Sequence, residues 1–165
     1  MKQAKEQEEI GKNYLFADFN SKKIPFSELF FGKDDLILIH NMGVSCPYCT
    51  MWADGLNGVL QHLENRAAFV VVSPDEPKIQ KKFYESRGWK FRMYSAKDTS
   101  FTADMGFEAK DQEQIPGVSS FRKEGGKIFR VSKARFGPGD KFCIVWHLFA
   151  LLKDGSNNWE PKFKY

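Results

Sequence analysis

The chain has few cysteines: three among 165 residues, an odd number, which does not suit a secreted scaffold stapled by disulfides. It lacks any apolar run of membrane-spanning length, and its opening MKQAKEQEEIGK is charged throughout, without the apolar core of a signal peptide. A soluble, cytoplasmic protein with no membrane partner is therefore expected. An excess of one charge is also missing. The 25 basic and 21 acidic residues leave a formal +4, and Lys22-Lys23 and Lys81-Lys82 are isolated pairs rather than part of a basic run, which excludes nucleic acid as the expected partner. Repeats, low-complexity segments and flexible linkers are absent as well.

What is present is core material. Hydrophobic residues make up 42% of the chain and aromatics 15%, with 16 phenylalanines. The length suits one domain, taken as 13–165 behind a charged segment 1–12. YLFADF and KIPF read as two short strands around the turn NSKK, and Ser27 is placed to cap a short SELFF segment. LILIHNM (36–42) and AAFVVVS (67–73) are continuous apolar runs of strand length, as expected for strands covered on both faces.

Between those two strands, Trp52, Leu56, Val59, Leu60 and Leu63 recur at helical spacing, with Gly55 and Gly58 predicting a kink or a close backbone contact. A second helix follows PDEP and runs to Arg87, with Gly88 at its end. KFRMYS reads as a strand and SFTADMGF as a short helix. IPGVSSFRKEGGKIFRV reads as a hairpin through Glu124, Gly125 and Gly126. A last helix from Asp140 is expected to bury Phe142, Val145, Trp146, Phe149 and Leu152. The alternation of strand and helix implies an α/β fold with a central sheet flanked by helices.

The chemistry concentrates in SCPYC, residues 45–49, where strand gives way to helix. If Cys46 caps that helix, Pro47 takes the first helical position, where its missing N–H costs nothing. The sulfur of Cys46 then faces unpaired N–H groups and the positive end of the helix dipole, which favour thiolate. Such cysteines have pKa values of about 3.5 to 7.5. Cys49 lies one turn on, placed to resolve a mixed disulfide, and Pro47 and Tyr48 set the polarity between the sulfurs.

Two other uses of the pair stand beside this one. Half of a zinc site would need two further ligands, and the sequence offers no second close pair; Cys143 and His147 lie four apart on a helix that is otherwise apolar. Inert core thiols are the other, and they fit poorly with Pro47 at the strand-to-helix junction. Ile115-Pro116, just before a strand, is credible as a cis peptide that docks an extended substrate beside the cysteines. His40, ending a buried strand, could accept a proton from Cys49, and Arg122 could stabilise a thiolate. Burial against a backbone partner and simple exposure are the respective alternatives.

The order of elements resembles the thioredoxin-like superfamily, in particular its peroxiredoxin-like branch with a front hairpin and a central helix–strand insertion. CPYCTMWADGLNG, AAFVVVSPDEP, SRGWKF, TSFTADMGF, PGVSSFRKEGG, GPGDKFCIVWHLF and WEPKFKY further resemble a bacterial family of thioredoxin-like proteins of unknown function. That resemblance implies a dithiol-disulfide oxidoreductase with Cys46 as nucleophile, Cys49 as resolving thiol, and Pro47, Tyr48, Ile115 and Pro116 around the substrate. It implies no bound cofactor and no metal. The partners would be a protein or low-molecular-weight disulfide and a thiol reductant. Peroxiredoxins carry threonine and proline where this chain has Gly43 and Ile39; thiol peroxidase activity is the alternative, and a metal- or partner-binding module is a third. CPYC is also similar to the glutaredoxin centre, which leaves glutathione open as a reductant.

Overall fold

The computed structural model describes residues 7–165; of the charged segment 1–12, residues 1–6 lie outside the described residues. Among the described residues, eight strands form one sheet: β1 (Glu8–Glu9), β2 (Leu15–Ala17), β3 (Lys23–Pro25), β4 (Asp35–His40), β5 (Ala68–Ser73), β6 (Arg92–Ser95), β7 (Gly117–Glu124) and β8 (Lys127–Arg135). Their spatial order is β1-β8-β7-β4-β5-β6-β2-β3. β4, β5 and β6 run parallel, while β7 pairs antiparallel with β4, so the sheet is mixed.

The two apolar runs recognised in the sequence become the adjacent central strands β4 and β5. All six residues of β5 are buried, and because successive side chains point to opposite faces, they supply two separate cores. Ala68, Val70 and Val72 join Leu36, Leu38, Phe101 and Phe121 on one face. Phe69 and Val71 join Ile39, Cys49, Trp52 and Phe91 on the other. Each fully buried side chain of this size contributes about 1.5–3 kcal/mol.

The first face is covered by the β2–β3 hairpin, a 3-10 helix (Phe26–Phe30) and α4 (Phe101–Asp104). Ser27 does not cap the 3-10 helix. Pro25 holds the entry position; the Phe26 N–H donates to the Tyr14 carbonyl and the Ser27 N–H to Asn13 Oδ1 at 3.2 Å, so residues 13 and 14 meet the first donors and Ser27 is not needed as a cap.

The second face is covered by α1 (Pro47–Gly58), α2 (Leu60–Arg66), α3 (Pro77–Arg87) and part of α5 (Ile144–Phe149). The single helix read from periodicity is broken at Val59, directly after Gly58. Gly88 ends α3 at φ 66°, as its left-handed preference predicts.

The last helix departs from expectation. It starts at Ile144, not Asp140, and its stripe is only partly covered: Phe142 is 43% and Leu152 59% exposed, while Val145, Trp146 and Phe149 are half-buried. The Asp140 carboxylate accepts from the N–H groups of Gly137 and Phe142. It therefore closes a local turn, and extended Cys143 takes the capping position instead. No described helix is long and apolar enough to cross a membrane.

The two parallel connections β4–α1–α2–β5 and β5–α3–β6 bring the carboxyl ends of β4 and β5 side by side. The loops leaving those ends, residues 41–46 and 74–76, thus meet at one edge of the sheet, the location where open α/β sheets place their sites.

Candidate active site

Cys46 occupies the N-cap of α1 in extended conformation (φ −100°, ψ 106°), and Pro47 is the first helical residue. Its sulfur accepts a hydrogen bond from the Cys49 backbone N–H at 3.1 Å. The Thr50 hydroxyl and N–H both donate to the Cys46 carbonyl, at 3.0 and 3.1 Å, so the capping residue is fixed by the first turn on both sides of its Cα. Cys46 is half-buried and Cys49 buried, and both are free thiols.

The environment separates the two cysteines. The Cys49 thiol donates to Cys46, and the backbone N–H groups of Cys49 and Tyr48 add to that; against the cost of burial, they lower Cys46 to about 7. Cys49 moves upward, first because it is the donor in that same bond, then through burial and the neighbouring charge, with only the Met42 N–H opposing. Near neutral pH one sulfur is ready to attack and the other keeps its proton, the division of labour that a two-step exchange needs.

The loop that delivers Cys46 is tied by two side chains. Asn41 Oδ1 accepts from the Gly43 N–H at 2.8 Å. Asp75, from the β5–α3 loop, accepts from the Val44 N–H at 3.0 Å and from the Ser73 hydroxyl at 3.1 Å. Gly43 adopts φ +115°, and a Cβ there would stand 2.9 Å from the Asp75 carboxylate; glycine satisfies both demands. The loop also turns the Met42 N–H onto the Cys49 sulfur at 3.4 Å. No motif in the sequence marks these roles of Asn41 and Asp75. Only the position of PDEP after a buried strand hinted at Asp75, and nothing local tied it to a turn 31 residues earlier.

Of the other residues singled out in the sequence, Tyr48 lies beside the cysteines and lines a cleft of about 330 Å³ with Pro138, Gly139, Trp146, Ser156 and Trp159. Its ring stacks on Trp146 at 6.2 Å. Among the described residues, the lining carries no charged side chain. A larger cleft, about 630 Å³, lies around Phe31, Asp34 and Lys123 at the amino-terminal end of β4, away from the sulfurs.

The Ile115–Pro116 peptide bond is trans, not the cis form expected from the sequence: no cis peptide occurs among the described residues. The trans form is intrinsically favoured by about 0.5–1 kcal/mol, and here it lets the Ile115 N–H reach the Phe107 carbonyl while the Pro116 carbonyl accepts from Phe136. Register places Gly117 opposite His40, so Pro116 lies alongside the start of the 41–46 loop, whereas Ile115 packs toward the core on the opposite face.

His40 does not serve the cysteines. It faces the other core, with Nε2 at 2.9 Å from the Ser119 hydroxyl and its ring stacked 3.9 Å from that of Phe107. Burial lowers it to about 3, so it is a neutral core histidine. Arg122 sits at the far end of β4, paired with Asp35 and Asp34. Cys143 is buried at the N-cap of α5, while His147 is exposed and contacts the Asp140 carbonyl. Among the described residues no group of three or more His, Cys, Asp or Glu side chains could hold a metal ion.

A family model described as bacterial protein of unknown function (DUF899) matches residues 6–163. No curated protein matches. Solved structures do: a cysteine-to-serine mutant of peroxiredoxin Q from Xanthomonas campestris, at 15% identity and TM-score 0.65, covering 81% of this chain and 88% of that one; a peroxiredoxin-like protein from Aquifex aeolicus, at 18% and 0.61, covering 82% and 76%; and reduced Prx3 from Vibrio vulnificus in complex with hydrogen peroxide, at 17% and 0.62, covering 85% and 91%. At these identities the likeness establishes the fold, which is thioredoxin-like and of the peroxiredoxin type.

Proposed function

We propose that this chain, which belongs to the DUF899 family of bacterial proteins of unknown function, is a cytoplasmic thiol-disulfide oxidoreductase working through Cys46 and Cys49. The observation that carries the reading is the half-buried Cys46 sulfur at a helix N-cap, 3.1 Å from the Cys49 N–H, with the Cys49 thiol buried behind it.

In the first step the Cys46 thiolate attacks one sulfur of a substrate disulfide. That S–S bond breaks, a mixed disulfide forms on Cys46, and the leaving thiolate takes a proton from solvent. Cys49 then loses its proton and attacks the Cys46 sulfur of the mixed disulfide. The second substrate thiol departs and the Cys46–Cys49 disulfide closes. The substrate disulfide has gained two electrons and the protein dithiol has lost two. A thiol reductant, small or protein-borne, restores the pair by the reverse sequence.

Tyr48 and the uncharged aromatic cleft beside it suit an apolar group next to the substrate disulfide, and Pro47 and Pro116 border the same loop. A protein disulfide fits this lining better than a charged peptide thiol such as glutathione, for which the cleft offers no cation.

The peroxiredoxin-type fold supports a second reading, in which the same thiolate attacks the O–O bond of a peroxide. Cys46 becomes a sulfenic acid, one oxygen leaves as water or alcohol, and Cys49 condenses with the sulfenic acid to release water.

Incubating reduced Cys49→Ser protein with a disulfide-bonded protein and analysing it by intact mass distinguishes these. The oxidoreductase reading expects a stable mixed disulfide on Cys46, absent in Cys46→Ser. Oxidation of Cys46 by peroxide with no mixed disulfide from any disulfide substrate would favour the peroxidase.

A further inference from the structure

Among the described residues, the one donor to the buried Cys49 sulfur from outside α1 and Cys46 is the Met42 N–H, at 3.4 Å. Met42 belongs to the loop between β4 and α1; the Asn41 N–H, donating to the Val72 carbonyl, continues the β4–β5 pairing up to it, and the Cys46 N–H donates to the Gly43 carbonyl just after it. The loop is aimed from outside by a directed chain of hydrogen bonds. Gln80, fully buried on α3, donates through Nε2 to the Ser73 hydroxyl at 2.7 Å and to the Tyr94 carbonyl at 3.0 Å. The Ser73 hydroxyl donates to the Asp75 carboxylate at 3.1 Å, and the same oxygen accepts from the Val44 N–H at 3.0 Å. The Ser95 hydroxyl fixes the Asp75 carbonyl at 2.6 Å. The Asp75 carboxylate also packs against Gly43, the residue between Met42 and Val44, closely enough to exclude a Cβ.

On the oxidoreductase reading, we propose that Asp75 is a positioning residue for the second half of the exchange: it holds the 42–44 turn so that the Met42 N–H stays on the Cys49 sulfur. A buried thiol can attack the mixed disulfide only as a thiolate, and it becomes a thiolate again when the closed disulfide is reduced. A backbone donor costs no reorganisation at either moment. The donors to Cys46, by contrast, are the N–H groups of Tyr48 and Cys49 and the Cys49 thiol, all within α1. Asp75 should therefore act on closure and leave the first attack alone.

The test separates the two steps. Wild type, Asp75→Ala and Asp75→Asn are loaded with an aromatic thiol as a mixed disulfide on Cys46, and closure is followed by release of that chromophore. Cys46 alkylation across pH is recorded in parallel. Asp75→Ala should close about tenfold more slowly, the size expected for loss of one hydrogen bond to a charged group. Its Cys46 alkylation midpoint should match wild type. Asp75→Asn keeps an acceptor for Val44 and should recover most of the rate. If Asp75→Ala does not fold, Ser73→Ala, which frees the carboxylate to rotate, is read the same way with a smaller loss. Undiminished closure in Asp75→Ala, a parallel shift of the alkylation midpoint, or no recovery in Asp75→Asn overturns the role of Asp75. A wild type that never closes the Cys46–Cys49 disulfide overturns the oxidoreductase reading itself.

Discussion

The backbone N–H of Cys49 points at the sulfur of Cys46 from 3.1 Å, so the second cysteine of the pair helps carry the charge of the first. The arrangement follows from sequence order alone once Cys46 is the N-cap: the amide three residues on is one of the donors that every helix leaves unpaired. A proline at the next position removes one donor that would have been unpaired anyway and sets the first helical φ.

Gly43→Ala should be costly for two physical reasons at one atom. The residue sits at φ +115° and the new Cβ would meet the Asp75 carboxylate at 2.9 Å. A loss of about 1–3 kcal/mol is expected from the backbone conformation, read as a lowered urea midpoint, together with slower closure of the Cys46–Cys49 disulfide. A neutral result would contradict the loop geometry.

Phe101→Ala separates stability from chemistry. Phe101 is fully buried against Tyr14, Phe16, Phe26 and His40, on the sheet face opposite the cysteines, and its loss should cost about 3–5 kcal/mol. The alkylation midpoint of Cys46, measured where the variant is still folded, should not move.

The expected acid sensitivity arises at His40. Its pKa is lowered from 6.5 to about 3 by burial, with the charge of Arg130 a smaller cause. The unfolded chain therefore binds a proton that the folded chain refuses. The folded state is unpenalised above pH 6.5 and loses stability steadily as pH falls from 6.5 toward 3. Urea unfolding at a series of pH values should show this slope, and His40→Gln should flatten it. A slope unchanged in His40→Gln would place the titration elsewhere.

Tyr48→Ala opens the cleft shared with Trp146 and Trp159. With a protein disulfide substrate, KM should rise several-fold while the Cys46 midpoint stays put, because Tyr48 supports the thiolate only through its backbone. A fall in kcat at constant KM would argue against a substrate-binding cleft.

Much of this was legible in the chain. The continuous apolar runs of β4 and β5, the Cys46-Pro47 capping pair and Gly88 closing α3 each act within a few residues, and Gly58 foretold the break at Val59. What was not legible depends on distant partners. Asp75 reaches a turn that precedes it by 31 residues. The face on which His40 lies depends on strand register. Asp140 has the side chain of a helix cap, but Gly137 and Phe142 supply it with nearer donors, so the helix starts later and its apolar stripe stays partly uncovered. Pro116 had a plausible role as a cis residue, but its neighbours at Phe107 and Phe136 are satisfied with the trans bond.

Cys46 is expected to be reactive at neutral pH while Cys49 is not. Alkylation of the reduced protein with iodoacetamide between pH 5 and 10, quantified at each cysteine by peptide mass spectrometry, measures this directly. The expected outcome is that Cys46 modification rises with a midpoint near pH 7, while buried Cys49 and Cys143 remain largely unmodified in the folded protein. Equal labelling of Cys46 and Cys49, or a Cys46 midpoint at the ordinary thiol value of about 8.5, would contradict it.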